Sequence, residues 1–167
     1  MNDIQQAAFE LRFSELQKKL SEETSLDGTL LAACSAHDPD ADVQVDVIRY
    51  LIRCGVSANE VDKNGVTPLH RAVRFRNLAA AQELIAQGAN VNAVDKKSHS
   101  TPLHRAVTNT GAPSTAGKSD VAIEIVKLLL ASGADTKIQN KNGKTPIEYV
   151  RNEKMKELFE TVKSSSK

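Results

Sequence analysis

Thr67-Pro68-Leu69-His70-Arg71-Ala72-Val73 recurs as Thr101-Pro102-Leu103-His104-Arg105-Ala106-Val107, 34 residues later, and Thr145-Pro146-Ile147 opens a third, degraded copy. A period near 33 residues marks a stack of small helical units, none of which can bury its apolar face alone. In each copy Thr offers a side-chain oxygen to the first free amides of a helix. Pro stands at the first helical position, where a missing N–H costs nothing. Leu69, Ala72 and Val73 then fall on one face.

Outward from Thr67 a whole unit can be read. The chain turns near Arg76-Asn77, and Leu78, Ala81, Leu84 and Ile85 mark a second helix that Gly88 stops in a left-handed conformation. Ala89-Asn90-Val91-Asn92-Ala93-Val94-Asp95 leads on to the next Thr-Pro as a turn-rich link. This order resembles the ankyrin repeat: Thr-Pro-Leu-His-x-Ala, paired helices, Gly-Ala-Asn-Val-Asn, then Asp before the next Thr-Pro. Residues 55–67 and 133–145 repeat the link in register. The expected fold is therefore all-α, an ankyrin-repeat solenoid of stacked helix-turn-helix units with hairpin-like links.

One repeat domain is expected over residues 1–163, with units near 3–28, 29–66, 67–100, 101–144 and 145–163, and a disordered tail at 164–167. The first unit, residues 4–20, carries Ile4, Ala7, Ala8, Phe13, Leu16 and Leu20 at helical spacing, with Gln5, Gln6, Glu10, Lys18 and Lys19 expected in solvent. The second opens at Thr29. The fifth is expected to have a short, basic second helix. Units two and four carry extra residues between their helices, 37–42 and roughly 109–119. The link 95–101 is one residue longer than its counterparts and lacks their Gly, so Lys97 or Ser98 is expected to take up the turn's left-handed angles.

Composition agrees with a soluble helical stack: 40% apolar, 26% charged, 4% aromatic, no Trp. No stretch reaches the ~18 apolar residues of a membrane span, and the first residues lack the pattern of a secretory signal. Cys34 and Cys54 make no disulfide or metal framework. A cytoplasmic monomer with no cofactor and no membrane role is expected, and export into a host cell is compatible with the same residues. The net charge of +1 hides an asymmetry. Residues 1–60 hold 5 Lys+Arg against 11 Asp+Glu, whereas residues 61–167 hold 17 against 10.

Motifs that suggest chemistry fail on spacing. Residues 111–119 look like a phosphate loop, but five residues separate the glycines where four are needed, and a helix precedes them. Asp38-x-Asp40-x-Asp42 starts like a calcium loop, yet Val43 and Arg49 occupy the positions that require Gly and a bidentate Glu. An acidic loop favouring the start of the next helix is the simpler account. His70 and His104 lack further ligands at metal spacing. The resemblance implies that they tie helix starts to neighbouring links. Asn59 and Asn92 are expected to bond local backbone, and the resemblance makes them candidates for hydroxylation. No nucleophile–base set appears, so no enzyme activity and no metal site is expected.

The resemblance places binding on the concave face, made of link tips and exposed first-helix positions. Here these are Lys63, Lys96, Lys97, His99, Lys141 and Lys144 at the tips, and Arg71, Arg74, Phe75, Arg105 and Asn109 on the helices. Nearly all the charges are positive. Ordinary solubilising Lys and Arg would look the same. A basic stripe with one aromatic anchor suits a partner protein with an acidic or mixed acidic–apolar segment. The alternative is a phosphate- or nucleic-acid-binding stripe. It is disfavoured by the near-zero net charge and sparse aromatics. Reversing Arg71 and Arg105 to Glu is expected to abolish capture without disturbing the fold.

Overall fold

A computed structural model describes residues 2–20, 26–36, 40–108, 119–151 and 153–165. The helices are α1 (Asp3–Phe9), α2 (Phe13–Leu20), α3 (Thr29–Ala33), α4 (Ala41–Arg53), α5 (Pro68–Arg74), α6 (Leu78–Ala86), α7 (Pro102–Val107), α8 (Ser119–Ala131) and α9 (Glu153–Ser165), with a 3₁₀ turn at Pro146–Tyr149. No strand occurs among the described residues. First helices stack in one row, α1, α3, α5, α7 and the 3₁₀ turn. Second helices α4, α6, α8 and α9 stack in another. Leu30, Leu69 and Leu103 from the first row and Leu51, Leu84 and Leu129 from the second are all fully buried in one continuous core. The resemblance and the all-helical fold both hold.

The repeated peptide works as its residues dictate. The Thr67 and Thr101 side chains accept from the His70 and His104 amides, and each His side chain in turn binds the Thr backbone N–H. On the 3₁₀ turn the Glu148 carboxylate accepts both the Thr145 N–H and the Thr145 hydroxyl, at 2.7 and 2.9 Å. Gly55, Gly88 and Gly133 have φ of 95°, 84° and 84°. At each, two amides fold back on the last turn: Gly88 N–H to Ile85 O at 3.0 Å and Ala89 N–H to Leu84 O at 2.9 Å. This is the Schellman closure, which needs a left-handed residue at its corner.

The first-helix ends depart from expectation. Residues 4–20 form a helix pair: Leu11, at φ 54°, closes α1 with the same two bonds, and α2 follows. Gln5 and Gln6 are half-buried instead of exposed, and Gln5 Nε2 donates to Asp27 O at 2.7 Å. Arg76 repeats the Leu11 solution after α5, at φ 58°. In unit two, Thr29 is the first helical residue and Gly28 the uncapped residue before it. Units two and four do insert residues at this point, but 37–39 and 109–118 lie outside the described residues, as do most of the phosphate-loop and part of the calcium-loop look-alikes. Asp40 is described and caps α4, accepting from Asp42 N–H and Val43 N–H. That is the role the acidic loop end was expected to play.

The link at 95–101 solves its extra residue differently from expectation. Gly65 N–H bonds Asp62 O and Gly143 N–H bonds Asn140 O, three residues back, whereas His99 N–H bonds Asp95 O, four back. The longer ring moves the left-handed corner to His99, at φ 51°, rather than Lys97 or Ser98. The last unit also inverts its expected proportions. Its first helix is the single 3₁₀ turn, while α9 spans 13 residues with three Lys and three Glu. It is neither short nor basic, and it continues through Ser165, two residues into the expected tail. Residues 166–167 lie outside the described residues.

Candidate interaction surface

The link tips are joined to one another. Lys96 N–H donates to Asn64 O at 2.8 Å, and Lys141 N–H donates to Ser98 O at 2.9 Å. Each His adds a second strut. Nδ1 of His70 accepts from Thr67, so Nε2 carries the proton and donates to Ser100 O at 2.9 Å. His104 does the same to Lys144 O at 3.0 Å. Burial lowers both pKa values and keeps the rings neutral in this role. The tie between helix start and next link is as expected, and the three tips form one preorganised edge.

Asn59 and Asn92 also bridge units, where local bonding was expected. Asn59 Nδ2 donates to Gly88 O at 3.0 Å and its Oδ1 accepts Asn90 N–H at 2.7 Å. Asn92 repeats this with Gly133 O and Asp135 N–H, at 3.1 and 2.7 Å. The helix-stopping Gly leaves a carbonyl free at each junction, and an amide side chain supplies a donor and an acceptor together. Asn92→Ala is expected to lower stability by about 1 kcal/mol, because both groups lie near solvent. Urea titration followed by circular dichroism reads this; an unchanged midpoint would mean water replaces both bonds at no cost.

The basic residues divide into two classes. Lys63, Arg74, Lys96, Lys97, His99, Lys141 and Lys144 are exposed. Among the described residues none of them forms an ion pair. Lys144 Nζ lies 5.6 Å from the Tyr149 ring centre, and the Arg74 guanidinium 6.0 Å from that of Phe75. Phe75 is half-buried at the end of α5. Asn109 lies outside the described residues.

Arg71 and Arg105 differ from the expectation that they stand free. Arg71 pairs with Asp62 at 2.9 Å and Arg105 with Asp95 at 3.2 Å, and both are half-buried. Asp62 also accepts Asn64 N–H and Val66 N–H, and these bonds with Arg71 outweigh its burial and lower its pKa. Asp95 is fully buried. It accepts from Ser98 N–H and Oγ, each at 2.7 Å, and from Ser100 N–H at 3.2 Å. Burial alone would raise its pKa, but these donors and Arg105 hold it at about 2. Reversing Arg71 and Arg105 would therefore put carboxylates against carboxylates and damage the fold it was meant to spare.

The chain itself carried a signal for these pairs. Asp precedes Thr in the links of both Arg-containing copies, while the last copy changes both positions together, to Asn140 and Tyr149. There Asn140 Nδ2 donates to the Tyr149 hydroxyl at 2.9 Å. A joint exchange at two positions nine residues apart is what a contact produces.

Between the two ion pairs, around the links 55–66 and 88–100, lies a hollow of roughly 220 Å³ bordered by Asp62, Arg71, Arg74, Asp95, Lys97 and Arg105. Two large apolar side chains stay in solvent on the same links, Val61 at 54% and Val94 at 48% exposure. Among the described residues no cluster of metal-ligating side chains occurs, and no helix is long and apolar enough to cross a membrane.

A family model of ankyrin repeats in three copies matches residues 30–117, and a model of the single ankyrin repeat matches 98–141. The chain is similar to the SMC5-SMC6 complex localization factor protein 1 of Bos taurus, 34% identical over 124 residues, covering 72% of this chain and 11% of that protein. It is 34% identical over 87 residues to Rabankyrin-5 of Mus musculus, covering 52% of this chain and 7% of that protein. It is 30% identical over 125 residues to the BRCA1-associated RING domain protein 1 of Caenorhabditis elegans, covering 74% and 16%. The chain thus spans 16% or less of each of these relatives.

Proposed function

The chain belongs to the ankyrin-repeat family, whose repeats are general protein-interaction modules, and from that premise we propose that its link tips and concave face bind a segment of a partner protein without catalysis. The observation that carries this reading is the row of unpaired cations, Lys63, Lys96, Lys97, Lys141 and Lys144, on tips that are already hydrogen-bonded to one another. The backbone of such an edge loses little conformational freedom on binding, so more of each contact appears as affinity. Exposed Val61 and Val94 between them match a segment that alternates acidic and apolar side chains.

Affinity capture from lysate with quantitative mass spectrometry, comparing wild type with Lys63→Glu/Lys96→Glu/Lys141→Glu, tests the reading. All three side chains are exposed and outside the internal ion pairs, so circular dichroism should not change. The main partner is expected to be lost from the variant; its retention removes the tips from the account. Were the captured species nucleic acid instead, binding of random DNA would fall steeply with salt.

A further inference from the structure

We propose that the hollow between the links 55–66 and 88–100 is a carboxylate-receiving subsite, in which Arg74 and Lys97 grip an Asp or Glu side chain of the bound segment; this rests on the reading above. Of the four cations around the hollow, two already have a carboxylate partner. Arg71 and Arg105 each donate one N–H to Asp62 and Asp95, whose carboxylates also accept from Asn64, Val66, Ser98 and Ser100. The Nε of both arginines is buried without a partner of its own among the described residues. Arg74 and Lys97 have no carboxylate partner among the described residues, and both are exposed. They come from different elements, the end of α5 and the 88–100 link, so a group between them meets positive charge from two sides.

The surplus of two positive charges is local, and the walls that border it exclude part of the solvent that would screen it. Arg74 is anchored beside the Phe75 ring, which limits the freedom it would lose on gripping a ligand. At roughly 220 Å³ the hollow has room for the end of one side chain and not for a folded element. A carboxylate suits it better than a phosphate monoester. Arg74 and Lys97 come from two elements and match the two oxygens of a carboxylate, whereas a phosphate monoester adds a third oxygen that finds no further free cation among the lining residues.

Selection of displayed random 12-residue peptides on the full chain provides the probes. The selected peptides are then synthesised with each acidic residue as found, as Gln and as phosphoserine, and titrated against wild type, Arg74→Glu/Lys97→Glu, Arg74→Gln/Lys97→Gln and the distant control Lys127→Glu. Peptides carrying Asp or Glu are expected, with affinity falling roughly tenfold or more for both double variants and for the Gln peptide. Lys127→Glu should bind as wild type, and replacing the peptide's Glu by Lys should recover binding to Arg74→Glu/Lys97→Glu. Selected peptides that lack acids, or that bind both double variants as wild type, overturn the subsite and leave the interaction module standing. A phosphoserine peptide that binds more tightly than its Glu form overturns the assignment to carboxylate. If no peptide is enriched, the interaction reading falls and the subsite with it.

Discussion

Asp95→Ala is expected to lower the unfolding free energy by about 3–5 kcal/mol, the range found when one member of a buried ion pair is removed. The size follows from what the carboxylate satisfies. It accepts four donors from Ser98, Ser100 and Arg105 while itself fully buried. Alanine would remove at once the acceptor of two amides, a hydroxyl and a guanidinium. Arg105→Ala should cost much less, since Asp95 keeps its Ser98 and Ser100 donors. Urea unfolding monitored by circular dichroism measures both, and an Asp95→Ala loss below about 1 kcal/mol would show that water enters and replaces the carboxylate.

The same residue gives the stack a defined acid sensitivity. Its folded pKa of about 2 lies below the ordinary 3.8. The corresponding stability is therefore complete above about pH 4 and is lost as pH falls from there toward 2. That share is no more than about 2 kcal/mol, because Arg105 lies near enough to solvent to be partly screened. His70 and His104 act in the same direction from below their ordinary 6.5, since burial holds both neutral. The difference between wild type and Asp95→Asn across pH 2–5 isolates the aspartate. A difference that does not shrink toward pH 2 would contradict the assignment.

What could be read from residues alone was what each unit does for itself. Thr67-Pro68 and Thr101-Pro102 cap their own helices, Gly88 stops its own, and Leu84 buries where its spacing puts it. What escaped was what one unit does for the next. Arg71 looks exposed on a helical wheel, and only the folded link brings Asp62 over it. Asn59 looks local until the neighbouring Gly88 carbonyl arrives 29 residues on. Glu60 is the same kind of case: helix α3 has Gly28 as its cap residue and no side-chain cap, so Glu60 reaches back to accept Gly28 N–H at 2.9 Å and Leu31 N–H at 2.8 Å. Burial raises its pKa against the pull of these bonds, which is the cost of placing a carboxylate there. The exposed tips were legible because a Lys in a turn has little else to do; which cations remain unpaired depends on neighbours that no local window contains.

Arg76 is the strongest instance, and its replacement is the second large effect expected. It is 7% exposed and has no carboxylate partner among its hydrogen bonds, yet burial lowers its pKa without making it an anomaly. Its guanidinium donates to Ala106 O at 2.8 Å and Thr108 O at 3.0 Å, with longer contacts to Arg105 O and Val73 O. These first carbonyls belong to the end of α7, which runs on through Thr108 in extended conformation with no Gly to fold the chain back. A helix end in that state presents unpaired carbonyls and partial negative charge, so a cation from the preceding unit serves as its cap. Gln44 does the equivalent for α3, its Nε2 donating to Ala33 O at 2.9 Å, again where a unit carries extra residues. Arg76→Ala is expected to cost about 2–4 kcal/mol and to speed amide exchange at the end of α7. Arg76→Gly should recover about 1 kcal/mol of that, because glycine tolerates the φ of 58° that any side chain strains. The order wild type, Gly, Ala separates the two contributions. The gap between wild type and Ala measures the guanidinium and the gap between Gly and Ala the backbone corner; if Ala matched wild type, the guanidinium would contribute nothing, and if Gly matched Ala, the corner would hold no strain.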